Sequence, residues 1–273
     1  MNRHKLQSAE CADRKPGRAD EKSSSKRGQR SSSGGTSGSK KKARVDSTKS
    51  LGLADDSMVA MSFYMMRIMT DPVPSEVKDV YLFSYPPTGG NDSVFPRVAE
   101  WVAEAPGRKL YVLDSVPGLS TYMGFEYTKD LLVSKHNVAT ETIVRVPFPK
   151  EHTLIHTRNE SDALVMYMKT AGIQSFAVCA APFHLPRAFL SMLGAAKEAS
   201  TLSAAHIYPM CGTGYPKWFN TPVIHSQGMQ LDHLANTVPN EFDRIERYIA
   251  NGHLLTISES LTYLQGRDAS HER

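Results

Sequence analysis

His184 and Arg187, three apart in FHLPR, are side chains able to move a proton and to hold an anion. Imidazole titrates near neutrality, which makes His184 the candidate for acid–base work. The guanidinium of Arg187 fits a phosphate or carboxylate as a fork. Upstream, TRNE groups Thr157, Asn159 and Glu160. Glu160 is able to orient His184 or to accept a proton from water, and Asn159 offers both a donor and an acceptor. Each residue also has a plainer role. His184 can cap the helix that begins at Leu185, Arg187 can pair with Glu160, and Thr157-x-x-Glu160 is itself a capping box.

The elements that must position these groups are legible from spacing. Residues 161–170 carry Leu164, Val165, Tyr167 and Met168 as a helical stripe, and Gly172 suits the left-handed position that closes a helix. Ser175–Pro182 is short and almost wholly apolar, as a strand buried on both faces of a parallel sheet should be. Pro186 falls in the first turn of the next helix, where its missing N–H costs nothing. His184 and Arg187 therefore sit between a strand's carboxyl end and a helix amino end. Open α/β sheets bind ligands at that edge, and the helix end favours an anion.

TRNESDAL followed by APFHLPRA resembles the YdcF/SanA-like family, over roughly residues 76–210. The resemblance implies a Rossmann-like fold and an anionic or nucleotide-like ligand, without implying a reaction. It further implies that Gly89, Gly90 and Arg97 stand where the family has glycines and an arginine on the following helix. Where relatives carry Ser-Gly-Gly, this chain departs with DSVPG.

In chain order, Asp56–Thr70 reads as a helix capped by Asp56 or Ser57 and packed on the sheet. A strand is predicted over 77–84, followed by a turn in which Gly89, Gly90 and Asn91 are placed to cradle phosphate or simply to reverse the chain. A helix over 93–105 leads to a strand over 109–113, with Asp114 and Ser115 at its carboxyl edge. Next come a helix over 121–135, a strand over 142–146 and a polar loop back to TRNE. Beyond the helix that ends near Ala199, a strand spans 204–208 and a long Gly/Pro-containing loop spans 210–229. A helix over 241–250 and a short one over 258–264, capped by Ser258, fit a lid or clasp, and the helical segment as a whole covers about 226–273. The alternation predicts a doubly wound, mostly parallel Rossmann-like sheet with flanking helices.

The net charge of +4 over 273 residues conceals an asymmetry. Residues 1–50 hold 14 Lys/Arg against 5 Asp/Glu, so the remainder is mildly acidic. Residues 1–52, rich in Ser, Gly, Lys and Arg, cannot bury enough apolar surface to order themselves and read as a disordered tail before a single domain over 53–273. Lys40–Arg44 is a nuclear-localisation or phosphate-backbone patch, or a solvated basic run with no address. Cys11, Cys179 and Cys211 form no CxxC pair or disulfide framework, which fits a reducing compartment. With no apolar run of membrane-spanning length and no secretory signal, an intracellular, cytoplasmic or nuclear location is expected. The histidines show no metal-ligand spacing, so no metal is expected.

Three functions fit. The first is a small-molecule enzyme, performing hydrolysis or group transfer on a phosphorylated or nucleotide-like anion. His184 and Glu160 would be its catalytic groups. Arg187, Thr157, Asn159, Gly89, Gly90, Asn91, Arg97, Asp114 and Ser115 would be its ligand contacts. The second is a module that binds a nucleotide or S-adenosylmethionine without turning it over. The third is a scaffold whose basic tail contacts nucleic acid or a partner. No cofactor is firmly implied, and no membrane partner is expected.

Overall fold

The computed structural model describes residues 58–83, 85, 90–114, 122, 124–149, 155–214, 222–224 and 231–271. The tail, the Asp56 or Ser57 cap, Gly89 and Ser115 lie outside those residues.

Helix α1 (Met58–Thr70) precedes an alternating series: β1 (Asp79–Leu82), α2 (Gly90–Ala103), β2 (Lys109–Asp114), α3 (Gly124–His136), β3 (Ile143–Pro147), α4 (Thr157–Ala171), β4 (Ser175–Ala180), α5 (Leu185–Glu198) and β5 (His206–Cys211). The five strands form one parallel sheet in the order β3-β2-β1-β4-β5, the doubly wound arrangement expected. Alternate residues of each strand feed two cores. Val80, Leu82, Leu110, Val112, Ala177 and Cys179 join Val94, Val98 and Trp101 of α2 and Phe125 and Leu132 of α3 on one face. Tyr81, Phe83, Leu113, Phe176, Val178 and Ile207 join α1, α4 and α5 on the other. Period-2 alternation with both sides apolar is why these strands read as near-continuous hydrophobic runs.

Gly172 ends α4 at φ 70°, as its position predicts. Pro186 lies in the first turn of α5. Departures concentrate in the last quarter. The loop expected over 210–229 contains the start of an antiparallel hairpin, β6 (Pro222–Ile224) with β7 (Leu231–His233). Helix α6 runs Leu234–Ala250 and carries Pro239 inside it, and its buried Glu241 ties this segment to Arg187 of α5. Helix α7 runs Ile257–His271, twice the expected length. Its cap is Thr256 and not Ser258: Thr256 Oγ1 accepts the Glu259 N–H at 3.2 Å while Glu259 Oε2 accepts the Thr256 N–H at 3.1 Å.

The length of α7 is explained by what it covers. β5 is an edge strand, whose outer N–H and C=O groups lack a strand partner. The Tyr263 hydroxyl accepts the Ile207 N–H at 2.7 Å and donates to Ala205 O at 2.9 Å, and Arg267 Nη1 donates to Ile207 O at 2.9 Å. Tyr263→Phe is expected to cost about 1–3 kcal/mol by orphaning the Ile207 amide. A urea midpoint indistinguishable from that of the parent chain would refute this account of the edge.

Candidate functional site

Strand order reverses between β1 and β4, so the residues that follow these two strands meet at the carboxyl edge of the sheet. Tyr85 stands at this edge just past β1. Asn91, in the first turn of α2, fixes the Tyr85 backbone from both sides: Oδ1 accepts Tyr85 N–H at 3.0 Å and Nδ2 donates to Tyr85 O at 2.9 Å. The Tyr85 hydroxyl accepts the Ala181 N–H at 3.0 Å and lies 2.6 Å from His184 Nδ1. Because the phenol oxygen already accepts from Ala181, we assign its own proton to Nδ1. Nε2 then carries the ring proton and faces Thr157 Oγ1 at 3.2 Å.

Thr157 Oγ1 also accepts from Arg187 Nη1 at 2.6 Å. Arg187 Nε and Nη2 donate to the two oxygens of Glu241, at 2.5 and 3.3 Å. Arg244 Nη1 donates to Glu241 Oε1 at 2.8 Å. The result is a continuous polar chain, Tyr85–His184–Thr157–Arg187–Glu241–Arg244, in which Thr157, His184, Arg187 and Glu241 are buried. Burial pulls the Arg187 guanidinium down, but the charge and hydrogen bonds of Glu241 outweigh it and hold Arg187 above its ordinary value. Burial pulls Arg244 below its ordinary value, helped by repulsion from Arg187, despite the same carboxylate. Two arginines thus share one carboxylate, and Arg187 commits three of its five N–H groups.

The capping box at the start of α4 lies one residue earlier than the sequence suggests. His156 is the N-cap; its side chain accepts the Asn159 N–H, and Asn159 Oδ1 accepts the His156 N–H at 2.8 Å. Asn159 is therefore spent on the helix end, whereas Thr157 and Glu160 are released from capping and turn inward. His184 occupies the N-cap position of α5, yet its ring makes no capping bond.

Glu160 is wholly buried. It accepts from the Tyr81 hydroxyl at 2.7 Å and from the Tyr122 hydroxyl at 3.4 Å. Burial raises its carboxyl to about 8, against the opposing pull of these two hydroxyls and of the Arg187 charge. It pairs with neither Arg187 nor His184. The expected Arg187–Glu160 salt bridge is replaced by the Arg187–Glu241 pair, and orientation of His184 falls to Tyr85 and Thr157.

The structure brings His184, Thr157 and Arg187 together, with Glu160 behind them and Asn91 as the clamp on Tyr85. Other expected contacts stand elsewhere. Gly90 begins α2. Arg97 lies 3.9 and 4.0 Å from Glu100 and Glu104 on the partly exposed side of the same helix. Asp114 pairs with Arg145 at 2.7 Å on the surface. Tyr81, Tyr85, Tyr122, Glu241 and Arg244 escaped sequence reading. Tyr85 alone had a local signal, its place just past a predicted strand.

Gly212, past β5, is required by close approach. A Cβ there would overlap Ser93 Oγ and lie 3.1 Å from Ser93 O and 3.2 Å from Ala180 O. Burial pushes the neighbouring Cys211 thiol up to about 11, which leaves it without thiolate character near neutrality. Among the described residues, no helix is long and apolar enough to cross a membrane. Compared with protein-family models, with curated proteins and with solved structures, the chain gives no match in any of the three.

Proposed function

We propose that this chain is a small-molecule enzyme that hydrolyses or transfers a group on a phosphorylated or nucleotide-like anion. The anion would bind at the carboxyl edge between β1 and β4, and the chain would be a relative of the YdcF/SanA-like proteins its motifs resemble. One observation carries the reading: a buried, connected run of titratable and polar side chains sits at the topological switch point, and helix capping no longer explains it. Burying such groups is costly unless they are satisfied, and this chain satisfies them at the edge where open α/β sheets bind ligands.

In this reading the Nε2–H of the neutral His184 ring donates a hydrogen bond to the substrate in place of Thr157 and stabilises the negative charge that develops there, while Tyr85 keeps the ring in the required tautomer. The uncommitted N–H groups of Arg187 hold the anion. Glu160 acts as a positioning residue through Tyr81 and Tyr122, since neither of its oxygens reaches His184.

The test is a thermal-shift screen of the chain against nucleotides, sugar phosphates and S-adenosylmethionine, followed by turnover assays on any hit. A ligand at a hundredfold excess over its Kd raises apparent stability by about 2.7 kcal/mol. Thr157→Val is the control, because Arg187 also anchors α6 and its loss disturbs folding. The expected result is a shift that weakens in Thr157→Val, with His184→Gln binding the compound but turning it over at least about a hundredfold more slowly. Binding without turnover in the parent chain would replace the enzyme by a binding module. A shift unaffected at Thr157 would move the site elsewhere.

A further inference from the structure

Helix α1 buries Ala60, Tyr64 and Ile68 against the sheet. Its outer side is unusual. The exposed positions are Met58, Val59, Ser62, Phe63, Met66 and Thr70, and none is charged. Met58, Val59, Phe63 and Met66 are 84%, 63%, 45% and 69% exposed. At 100° per residue these positions span one continuous face. Arg67, the single charge on the helix, lies off that face, bound to Asp71 at 2.6 Å and Asp268 at 2.5 Å. A contiguous apolar helix face on a folded surface marks an interaction site.

The chain upstream of this helix is strongly basic over residues 1–44, and residues 45–57, with one Lys against three Asp, separate that stretch from the helix. Residues 1–50 carry 14 Lys/Arg against 5 Asp/Glu, and residues 40–57 still carry five against three. We propose that α1 lies on an anionic lipid surface, with Met58, Val59, Phe63 and Met66 entering the headgroup boundary and the basic segment before it held by lipid charge. Either signal alone gives marginal attachment, and the two together give a stable one. A second copy of the chain suits the face less well, because apposed α1 helices would also bring together two segments of like charge. Nucleic acid would satisfy the lysines but offers no apolar layer for methionine and phenylalanine.

The test is co-sedimentation of the full chain with phosphatidylcholine vesicles, with and without about 30 mol% phosphatidylserine, at about 0.15 M salt. Binding is expected only to the vesicles containing phosphatidylserine. It should fall at least about tenfold in Phe63→Ser/Met66→Ser, and likewise when Lys40, Lys41 and Lys42 are changed to Glu. Phe63 and Met66 are exposed, and unchanged circular dichroism verifies the fold of each variant; Met66→Ser alone serves if the double variant is altered. Equal binding to both vesicles, no binding to either, or binding indifferent to the serine substitutions would overturn the proposal. So would a solution dimer that the serine substitutions dissolve, which would assign the face to a second copy.

Discussion

Glu241→Gln is expected to destabilise the domain by about 3–5 kcal/mol, because it leaves the buried Arg187 guanidinium, and the half-buried Arg244 beside it, without their shared counter-charge. Arg187 and Glu241 are among the least exposed charged side chains, and the carboxylate takes hydrogen bonds from both Arg187 and Arg244. Removing one partner of a buried pair costs far more than the pair contributes, since the survivor stays desolvated. For a domain of this size the loss corresponds to a fall in Tm of about 10 °C. Arg187→Met in the glutamine background should recover part of it, because the orphaned cation is then gone. The two changes will not add, as befits groups in direct contact. A thermal scan in which Glu241→Gln unfolds within a degree or two of the parent chain would mean that α6 does not dock through this pair.

The second large effect is a pH dependence that Glu160→Gln abolishes. The Glu160 carboxyl titrates near 8 when folded, against an ordinary value of 4.5. The folded state therefore holds this proton while the unfolded chain releases it. Between about pH 4.5 and pH 8 the folded form binds more protons, so stability falls as pH rises, by up to about 1.4 kcal/mol per unit. Below that window the group has no effect, and above it the full penalty of several kcal/mol is present. Glutamine is neutral throughout and still accepts from Tyr81, so the variant should match the parent chain near pH 4.5 and exceed it at pH 8.5. Urea midpoints of both proteins at the two pH values measure the difference, and comparing the two chains cancels every other titrating group. A constant gap across the range would show that Glu160 is already ionised in the folded protein at low pH.

Both predictions rest on residues that sequence reading treated incompletely, for one physical reason. Glu160 was visible as a candidate, but its Thr-x-x-Glu spacing also fitted a capping box, and a local pattern cannot choose between turning out to the helix end and turning in to the core. The decision came from His156 and Asn159, which formed the box one residue earlier. Glu241 was not visible at all. It lies 54 positions from Arg187, and no local spacing links them.

The sequence by itself determined the alternation of strands and helices from α1 through β5, the parallel doubly wound sheet, the glycine that closes α4 and the proline that opens α5. It also located the edge where His184 and Arg187 stand. These features follow from interactions between residues one to four apart, from backbone preferences of Gly and Pro, and from which faces are apolar. Only the tertiary structure decided the partners. Tyr85 meets His184 across 99 positions and Tyr81 meets Glu160 across 79, because the order β3-β2-β1-β4-β5 sets β1 beside β4. The extra lengths of α6 and α7 have the same origin, since a helix continues wherever one of its faces finds a surface to cover. Pairing of buried charges is decided by what packing leaves within reach, and that is known only once the chain is folded.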